Sequence, residues 1–271
     1  MAVEGDVPPL WVALGRCLFG AVTLWIVCLA QRVPAPSTRA TWGHALVVAV
    51  LHNAVPFTLL AYGETQVSSV LAGVLNATTP LTTLGFSLLV VAGERPSLRR
   101  LAGLGVGFAG VLTTIEVWDG LGCGTLYGAL ACVGSTVCYG AGFAYTRRFF
   151  SGREGSAVSL IAVQLTCATG LLAVAAALGE APVMPGVAGI GAVAVLGVLG
   201  TGIGFLLNFR VIREAGPTIA ASVTYVAPVW STLIGAVLLG EPLGWSLVGG
   251  GLLVVLGVLL IQARSRTSLL R

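Results

Sequence analysis

Three prolines in this chain each stand four residues after a polar residue, inside long apolar stretches. Proline has no N–H, so the carbonyl four residues before it loses its helical hydrogen-bond partner. Such a carbonyl needs another donor, which a water-filled cavity, a neighbouring helix or a bound molecule can supply. The prolines and the residues whose carbonyls they free are Pro56 with His52, Pro80 with Asn76, and Pro228 with Thr224. These positions are therefore the first candidates for a site that binds a small polar molecule.

A polar stripe accompanies the second of these prolines. Asn76, Thr79, Thr83 and Ser87 follow one another at spacings of three, four and four residues, which places them on one helical face. A polar face inside an apolar segment has to look into a helix bundle or a wet cavity. The alternative is that these side chains only join helices through hydrogen bonds.

Seven residues form the candidate substrate-binding set, and no residue is assigned a catalytic, cofactor-binding or metal-binding role. The seven are His52, Asn53, Asn76, Thr79, Tyr139, Tyr225 and Trp230. An enzyme would need clustered acids, several histidines or a nucleophile with its base. This chain has two histidines, and its acidic residues lie outside the apolar segments or at their ends. Of the titratable groups, only His52 is placed for ion coupling, and facilitated diffusion or exchange is equally open.

The composition predicts the elements that position these residues. Of 271 residues, 56% are hydrophobic and 9% are charged, whereas a soluble domain carries about 25% charged residues. The apolar residues form runs of about 17 to 25, each long enough to cross a hydrocarbon core of roughly 30 Å as a helix. We therefore expect an all-α polytopic membrane protein. The six cysteines lie inside these runs without metal-ligand spacing, which predicts neither disulfides nor a metal site.

Nine apolar segments are separated by short joints rich in turn residues. The segments cover residues 10–30, 43–61, 67–91, 98–116, 122–145, 156–179, 187–209, 217–239 and 244–262. Apart from Arg16, the arginines fall only in every second joint and in the C-terminal tail. Because positively charged loops stay in the cytoplasm, this pattern places the C-terminus in the cytoplasm and Met1 outside. It also explains the net charge of +4 without nucleic acid.

The two halves of the chain are related by an offset of 148 residues. At this offset Phe57 aligns with Phe205 and Pro80 aligns with Pro228. The second and third segments meet outside, whereas their counterparts, the seventh and eighth, meet in the cytoplasm. The halves therefore have opposite orientations, which is the arrangement that alternating access needs.

One pattern occurs twice, in residues 76–110 and 224–257: a mid-helix proline, a later Gly-Glu step and a Gly-rich helix. Together with the stretch 8–16, it resembles the EamA domain family of the drug/metabolite transporter superfamily. The resemblance implies a ten-helix transporter with two inverted five-helix repeats. Here it implies a first repeat at 1–116 with four helices and without the family's first helix. It further implies a complete second repeat at 122–263 and a basic cytoplasmic tail at 264–271.

The resemblance also implies the function. We expect a secondary transporter, an exporter or permease of small metabolites, amino acids or drug-like solutes, in the inner cell membrane. The expected partners are a small-molecule solute and the lipid bilayer, with no nucleic acid and no cofactor, and a homodimer is allowed. Two alternatives stay open: an accessory or non-transporting membrane subunit, and a membrane-embedded lipid-modifying enzyme.

Two polar residues within apolar segments are left out of the candidate site. Arg16 lies about two turns into the first segment, where it can extend to the membrane surface or pair across the bundle. Gln164 lies in the middle of the sixth segment, which is peripheral in proteins that this chain resembles.

Overall fold

The computed structural model describes residues 8–67, 69–91, 97–115, 123–153, 155–179, 186–225 and 245–262, and every regular element in these ranges is helical. The α-helices are α1 (Pro9–Ala30), α2 (Arg39–Ala49), α3 (Val55–Glu64), α4 (Ser69–Asn76), α5 (Thr79–Val90), α6 (Leu98–Ile115), α7 (Cys123–Tyr145), α8 (Ala157–Gly179), α9 (Val187–Val195), α10 (Gly204–Ala215), α11 (Pro217–Ala221) and α12 (Trp245–Gln262). Shorter segments continue some of them: π-helices at Val50–Ala54, Thr146–Phe150 and Leu196–Ile203, and a 3-10 helix at Ser222–Tyr225.

Five helical stretches in the described ranges are long and apolar enough to cross a membrane. They are Leu10–Ala30, Arg39–Glu64, Leu126–Phe150, Ala157–Gly179 and Gly189–Ala215. These stretches coincide with the first, second, fifth, sixth and seventh predicted segments. The third predicted segment instead forms two shorter helices, α4 and α5. The eighth is described only as far as Tyr225, so the count of nine spans stays a prediction.

Large apolar side chains are exposed on the outer surface of the bundle, and many polar side chains are buried inside it. Leu29, Leu89 and Leu178 are 77%, 83% and 84% exposed, whereas Asn53 and Gln164 are buried. A protein surrounded by water shows the opposite preference. Lipid tails solvate exposed leucines and exclude amides, so this distribution is that of a membrane protein.

A cluster of buried apolar side chains joins α1, α2, α8 and α10. Leu24 of α1 packs there with Leu160 and Leu165 of α8. Phe150, the last residue of the π-helix after α7, meets Phe209 of α10 edge to face, with ring centroids 5.8 Å apart. This cluster fixes α1 and the end of α7 against the same neighbours, and both elements contribute to the cavity described below.

Helices α6 and α12 pack along each other at a point where only glycine fits. A Cβ atom built at Gly257 would lie 2.6 Å from the backbone nitrogen of Gly107 and 2.7 Å from the carbonyl oxygen of Gly103. Both distances are far below van der Waals contact, so the two backbones touch without intervening side chains. Such close approach of small residues is a main source of helix association in membranes.

We predict that Gly257→Ala lowers the stability of the purified protein. The added methyl group has to push α6 and α12 apart, and overpacking of this kind costs about 1–3 kcal/mol. Gly251→Ala is the matched control on the same helix, because a Cβ there meets none of the described atoms within 4 Å. Thermal unfolding in detergent measures both variants. Equal unfolding temperatures for the two would contradict the close contact.

Candidate functional site

The helix break between α4 and α5 is the starting point of the site. The chain leaves the helix after Asn76, turns through Ala77 and Thr78, and resumes a helix at Thr79. Pro80 cannot donate to the Asn76 carbonyl, and the hydroxyl of Thr79 donates to that oxygen instead, at 2.6 Å. The missing donor predicted from Pro80 is thus supplied by the neighbouring threonine, which is itself fully buried.

Two threonines fix the break to α7. The hydroxyl of Thr78 lies 3.3 Å from the Thr136 hydroxyl, and the hydroxyl of Thr82 donates to the Thr136 carbonyl at 2.7 Å. Tyr139 lies three residues further along α7. The anchoring therefore brings Asn76 and Tyr139 to the same space.

That space is a cavity of about 390 Å³ between α1, α3, α4 and α7. It is lined by Val12, Ala13, Arg16, Phe57, Leu60, Ala61, Glu64, Thr65, Asn76 and Tyr139. Half of these residues are apolar and the other half carry a hydrogen-bonding or charged group. Its volume falls within the range of small-ligand pockets, about 300–1,000 Å³, and a mostly apolar wall with a few polar groups is typical of them.

His52 lies beside this cavity in a cluster of aromatic rings. Its imidazole centroid is 4.8 Å from the ring of Phe143, 6.1 Å from that of Tyr139 and 6.2 Å from that of Phe205. The ring is buried, and its Nε2 atom has no hydrogen-bond partner among the described residues. His52 thus packs beside Tyr139, which lines the cavity, but His52 is not itself one of the lining residues.

Asn53 and Gln164 form a buried hydrogen bond between the π-helix after α2 and α8. The Gln164 Nε2 atom donates to Asn53 Oδ1 at 2.9 Å, and both side chains are almost fully buried. Gln164 is not one of the seven candidates from the sequence, although a glutamine inside an apolar segment requires a polar partner. The pair joins two helices through the Asn53 Oδ1 atom, while Asn53 Nδ2 has no hydrogen-bond partner among the described residues, and Asn53 is not among the residues that line the cavity.

The remaining two candidates lie at the edge of what the structure describes. Tyr225 ends the 3-10 helix Ser222–Tyr225, whose Thr224 hydroxyl donates to the Ala221 carbonyl at 2.8 Å. Trp230 and Pro228 lie outside the described residues. The contributions of Tyr225 and Trp230 to a binding site stay predictions.

Arg16 is a cavity residue that the sequence-based candidate set left out. Its Nε atom donates to the Thr201 hydroxyl at 3.3 Å, and its guanidinium lies 4.7 Å from the centroid of the Phe57 ring. Gly197 permits this arrangement, because a Cβ there would lie 2.9 Å from the Arg16 carbonyl oxygen. The available signal was the lone charge within an apolar helix, which normally marks a polar pathway or partner.

Two π-helices occupy corresponding places in the two halves of the chain. Val50–Ala54 precedes the helix that carries Pro56, and Leu196–Ile203 precedes the helix that begins at Gly204. The sequence offset of 148 carries positions 50–54 onto 198–202, inside the second π-helix. π-Helical turns are rare and occur often at functional sites.

These features define a multi-pass helical membrane protein with a polar-lined cavity beside a broken helix. The chain belongs to the EamA-like transporter family, whose sequence profile matches residues 1–115 and 126–263. It is a membrane transporter, and the resemblance to the drug/metabolite transporter superfamily is confirmed.

Relatives agree with this family membership. The chain is 28% identical to the uncharacterized transporter YvbV of Bacillus subtilis, over 96% of this chain and 84% of that protein. It is 29% identical to the uncharacterized inner membrane transporter YedA of Escherichia coli K12, over 95% and 85% of the two chains. A solved crystal structure at 23% identity has the same fold, with a TM-score of 0.82 over 95% of this chain and 89% of the other. The described apolar helices fit a multi-pass inner membrane protein of this kind.

We predict that Gln164→Leu destabilises the protein. The change leaves the buried Asn53 amide without its partner, which costs about 1–3 kcal/mol. Gln31→Leu makes the same chemical change at an exposed position after α1 and should leave the unfolding temperature nearly unchanged. The measurement is thermal unfolding of the purified variants. If Gln164→Leu unfolds at the wild-type temperature, the buried pair does not stabilise the bundle.

Proposed function

We propose that this protein is a secondary transporter that moves small metabolites, amino acids or drug-like solutes by alternating access. The observation that carries the proposal is the cavity beside the α4–α5 break, where Asn76 and Tyr139 are among the polar residues of a lining that is half apolar. Broken helices with binding groups near the middle of the membrane are typical of secondary transporters. On this proposal the protein carries out no chemistry on the solute.

In this proposal the pathway leads from the cavity to one end of the bundle. Val12, Glu64 and Thr65 line the cavity at the helix ends that the arginine distribution assigns to the outside. A solute from that side would pass Glu64 to reach Asn76 and Tyr139. On this proposal the described conformation is assigned to the outward-facing state.

In this proposal, contacts at the opposite end of the bundle close the pathway. Arg147, in the π-helix after α7, donates to the carbonyls of Ile212 and Arg213 at the end of α10. Arg153 donates to His44 Nε2, so His44 Nδ1 carries the proton and donates to the Tyr145 hydroxyl, 2.6 Å away. Opening to the cytoplasm would require these contacts to break.

Two inverted repeats, 1–116 and 122–263, would supply the second state of the transporter. The corresponding π-helices support this relation between the halves. Two interruptions of α-helix at positions related by the offset of 148 also support it. In the first half α4 ends at Asn76, and in the second half the 3-10 helix Ser222–Tyr225 follows α11. The family profile also matches the chain in two stretches.

Within this mechanism the predicted site residues take different proposed roles. Asn76 and Tyr139 contact the solute. Thr79 and Asn53 hold the backbone and helices that shape the cavity, and His52 packs behind Tyr139 and moves with it between states. Tyr225 and Trp230 are proposed to complete the site from the second repeat.

The proposed function is tested by solute flux in liposomes. Purified protein is reconstituted into liposomes loaded with an isotopically labelled extract of bacterial metabolites, and the retained solutes are measured over time. We expect at least one small solute to leave faster than from protein-free liposomes. An accessory or non-transporting membrane subunit would give identical loss in both preparations, and that result would refute the proposal.

For the solute identified in this way, we predict that Asn76→Ala weakens binding while the protein still folds. Loss of one hydrogen bond to a neutral group costs about 0.5–1.5 kcal/mol, or roughly a few-fold to tenfold in affinity. Ser87→Ala is the control, because Ser87 lies on the same polar stripe, is buried and does not line the cavity. Affinity and thermal unfolding are measured on the same samples. Wild-type affinity combined with reduced stability for Asn76→Ala would mean that Asn76 only packs helices.

A further inference from the structure

Arg16 is the single charged residue of α1, a helix of 22 residues with a strongly apolar sequence. It lies seven residues after the first helical residue, or about 10 Å along the helix axis at 1.5 Å per residue. An arginine at this depth is costly unless it faces a polar space or pairs with another group. Arg16 lines the cavity, so its guanidinium is placed to bind a solute there.

The surrounding residues hold this guanidinium in one orientation. Thr201 accepts a hydrogen bond from Nε, and Phe57 covers one face of the planar group. Among the described residues, the guanidinium donates a hydrogen bond to Thr201 alone, and it does so through Nε. Its Nη1 and Nη2 atoms are therefore left for another partner. An arginine fixed in this way presents two parallel N–H groups, which match the two oxygens of a carboxylate.

Of the two acidic residues that the structure describes, the one that lines the cavity does not neutralise Arg16 by direct pairing. Glu64 lines the same cavity and interacts electrostatically with Arg16. The two side chains are not within ion-pair distance in the part of the chain that the structure describes. Glu64 is also exposed at the end of α3, where surrounding water weakens its attraction for Arg16.

We propose that Arg16 binds the carboxylate group of a small solute whose apolar part contacts Phe57, Leu60 and Val12. The proposal names the substrate class for the cavity and in that sense rests on the proposed transport function. A single guanidinium compensates one negative charge. A phosphate dianion would bring a second negative charge into a cavity that Glu64 also lines, which is unfavourable without another cation.

Glu64 gives the proposal a second, independent consequence. A carboxylate in the cavity is repelled by the Glu64 carboxylate, so removal of that charge should strengthen the binding of an anionic solute. The same change should weaken the binding of a cationic one. Removal of the Arg16 charge should thus lower the affinity for an anionic probe, and removal of the Glu64 charge should raise it.

The experiment uses three probes with the same ring and different end groups: 3-phenylpropionate, 3-phenylpropan-1-ol and 3-phenylpropylamine. Binding to the full chain in lipid nanodiscs is measured by titration calorimetry. We expect 3-phenylpropionate to bind more tightly than the alcohol and the amine. Arg16→Gln should weaken 3-phenylpropionate about tenfold to a hundredfold, because it removes charge-assisted hydrogen bonds, with little change for the alcohol. Arg39→Gln is the control, because Arg39 is exposed at the start of α2.

Glu64→Gln keeps the test decisive if Arg16→Gln fails to fold. It should tighten 3-phenylpropionate by a few-fold and weaken 3-phenylpropylamine. The proposal is overturned if all three probes bind with equal affinity, or if 3-phenylpropionate does not bind. It is also overturned if Glu64→Gln binds 3-phenylpropionate more weakly than the wild-type protein does. Because these measurements need no flux, they separate the two proposals. Arg16-dependent binding without flux in liposomes refutes transport alone, and flux of solutes without a carboxylate that is insensitive to Arg16→Gln refutes the carboxylate site alone.

Discussion

Every hydrogen-bonding group in the hydrocarbon layer of a membrane has to find its partner within the protein or in a water-filled cavity. The break between α4 and α5 shows how this chain meets that constraint. Thr79 donates to the carbonyl that Pro80 leaves unpaired, and Thr82 ties the resumed helix to the Thr136 carbonyl of α7. Because the Asn76 carbonyl is hydrogen-bonded by the neighbouring Thr79, the Asn76 side chain can line the cavity. The cavity therefore depends on these threonines as much as on the proline.

The same constraint explains the contrast between the outside and the inside of the bundle. Leucines cover the surface that contacts lipid, while amides and hydroxyls are buried and mostly paired, as in the hydrogen bond between Asn53 and Gln164. A charge is harder to accommodate than an amide, and Arg16 is placed at the cavity with Thr201 and Phe57 around it. The Asn53–Gln164 pair thus joins two helices, whereas the Nη1 and Nη2 atoms of Arg16 at the cavity keep capacity for a solute.

Local features of the fold could be predicted from the sequence because their causes are local. Apolar runs of sufficient length predicted helices, Pro80 predicted the disturbance at Asn76, and the three- and four-residue spacing predicted the shared buried face of Thr79, Thr83 and Ser87. The identity of each partner could not be predicted in the same way. Asn53 meets Gln164 across 111 residues and Arg16 meets Thr201 across 185, and no spacing rule connects such positions. The sequence indicated that Arg16 needs a polar neighbour, but only the packing of α1 on the π-helix Leu196–Ile203 shows which one.

The central claim is that one cavity beside the α4–α5 break is reached alternately from the two sides of the membrane. The most direct test is side-specific labelling of Asn76→Cys in a chain whose native cysteines have been replaced, with a membrane-impermeant thiol reagent. Labelling in right-side-out and inside-out vesicles reports access from the outside and from the cytoplasm. We predict that the cysteine is labelled from both sides and that a transported solute slows labelling from each. Labelling from one side only, under all conditions, would contradict it.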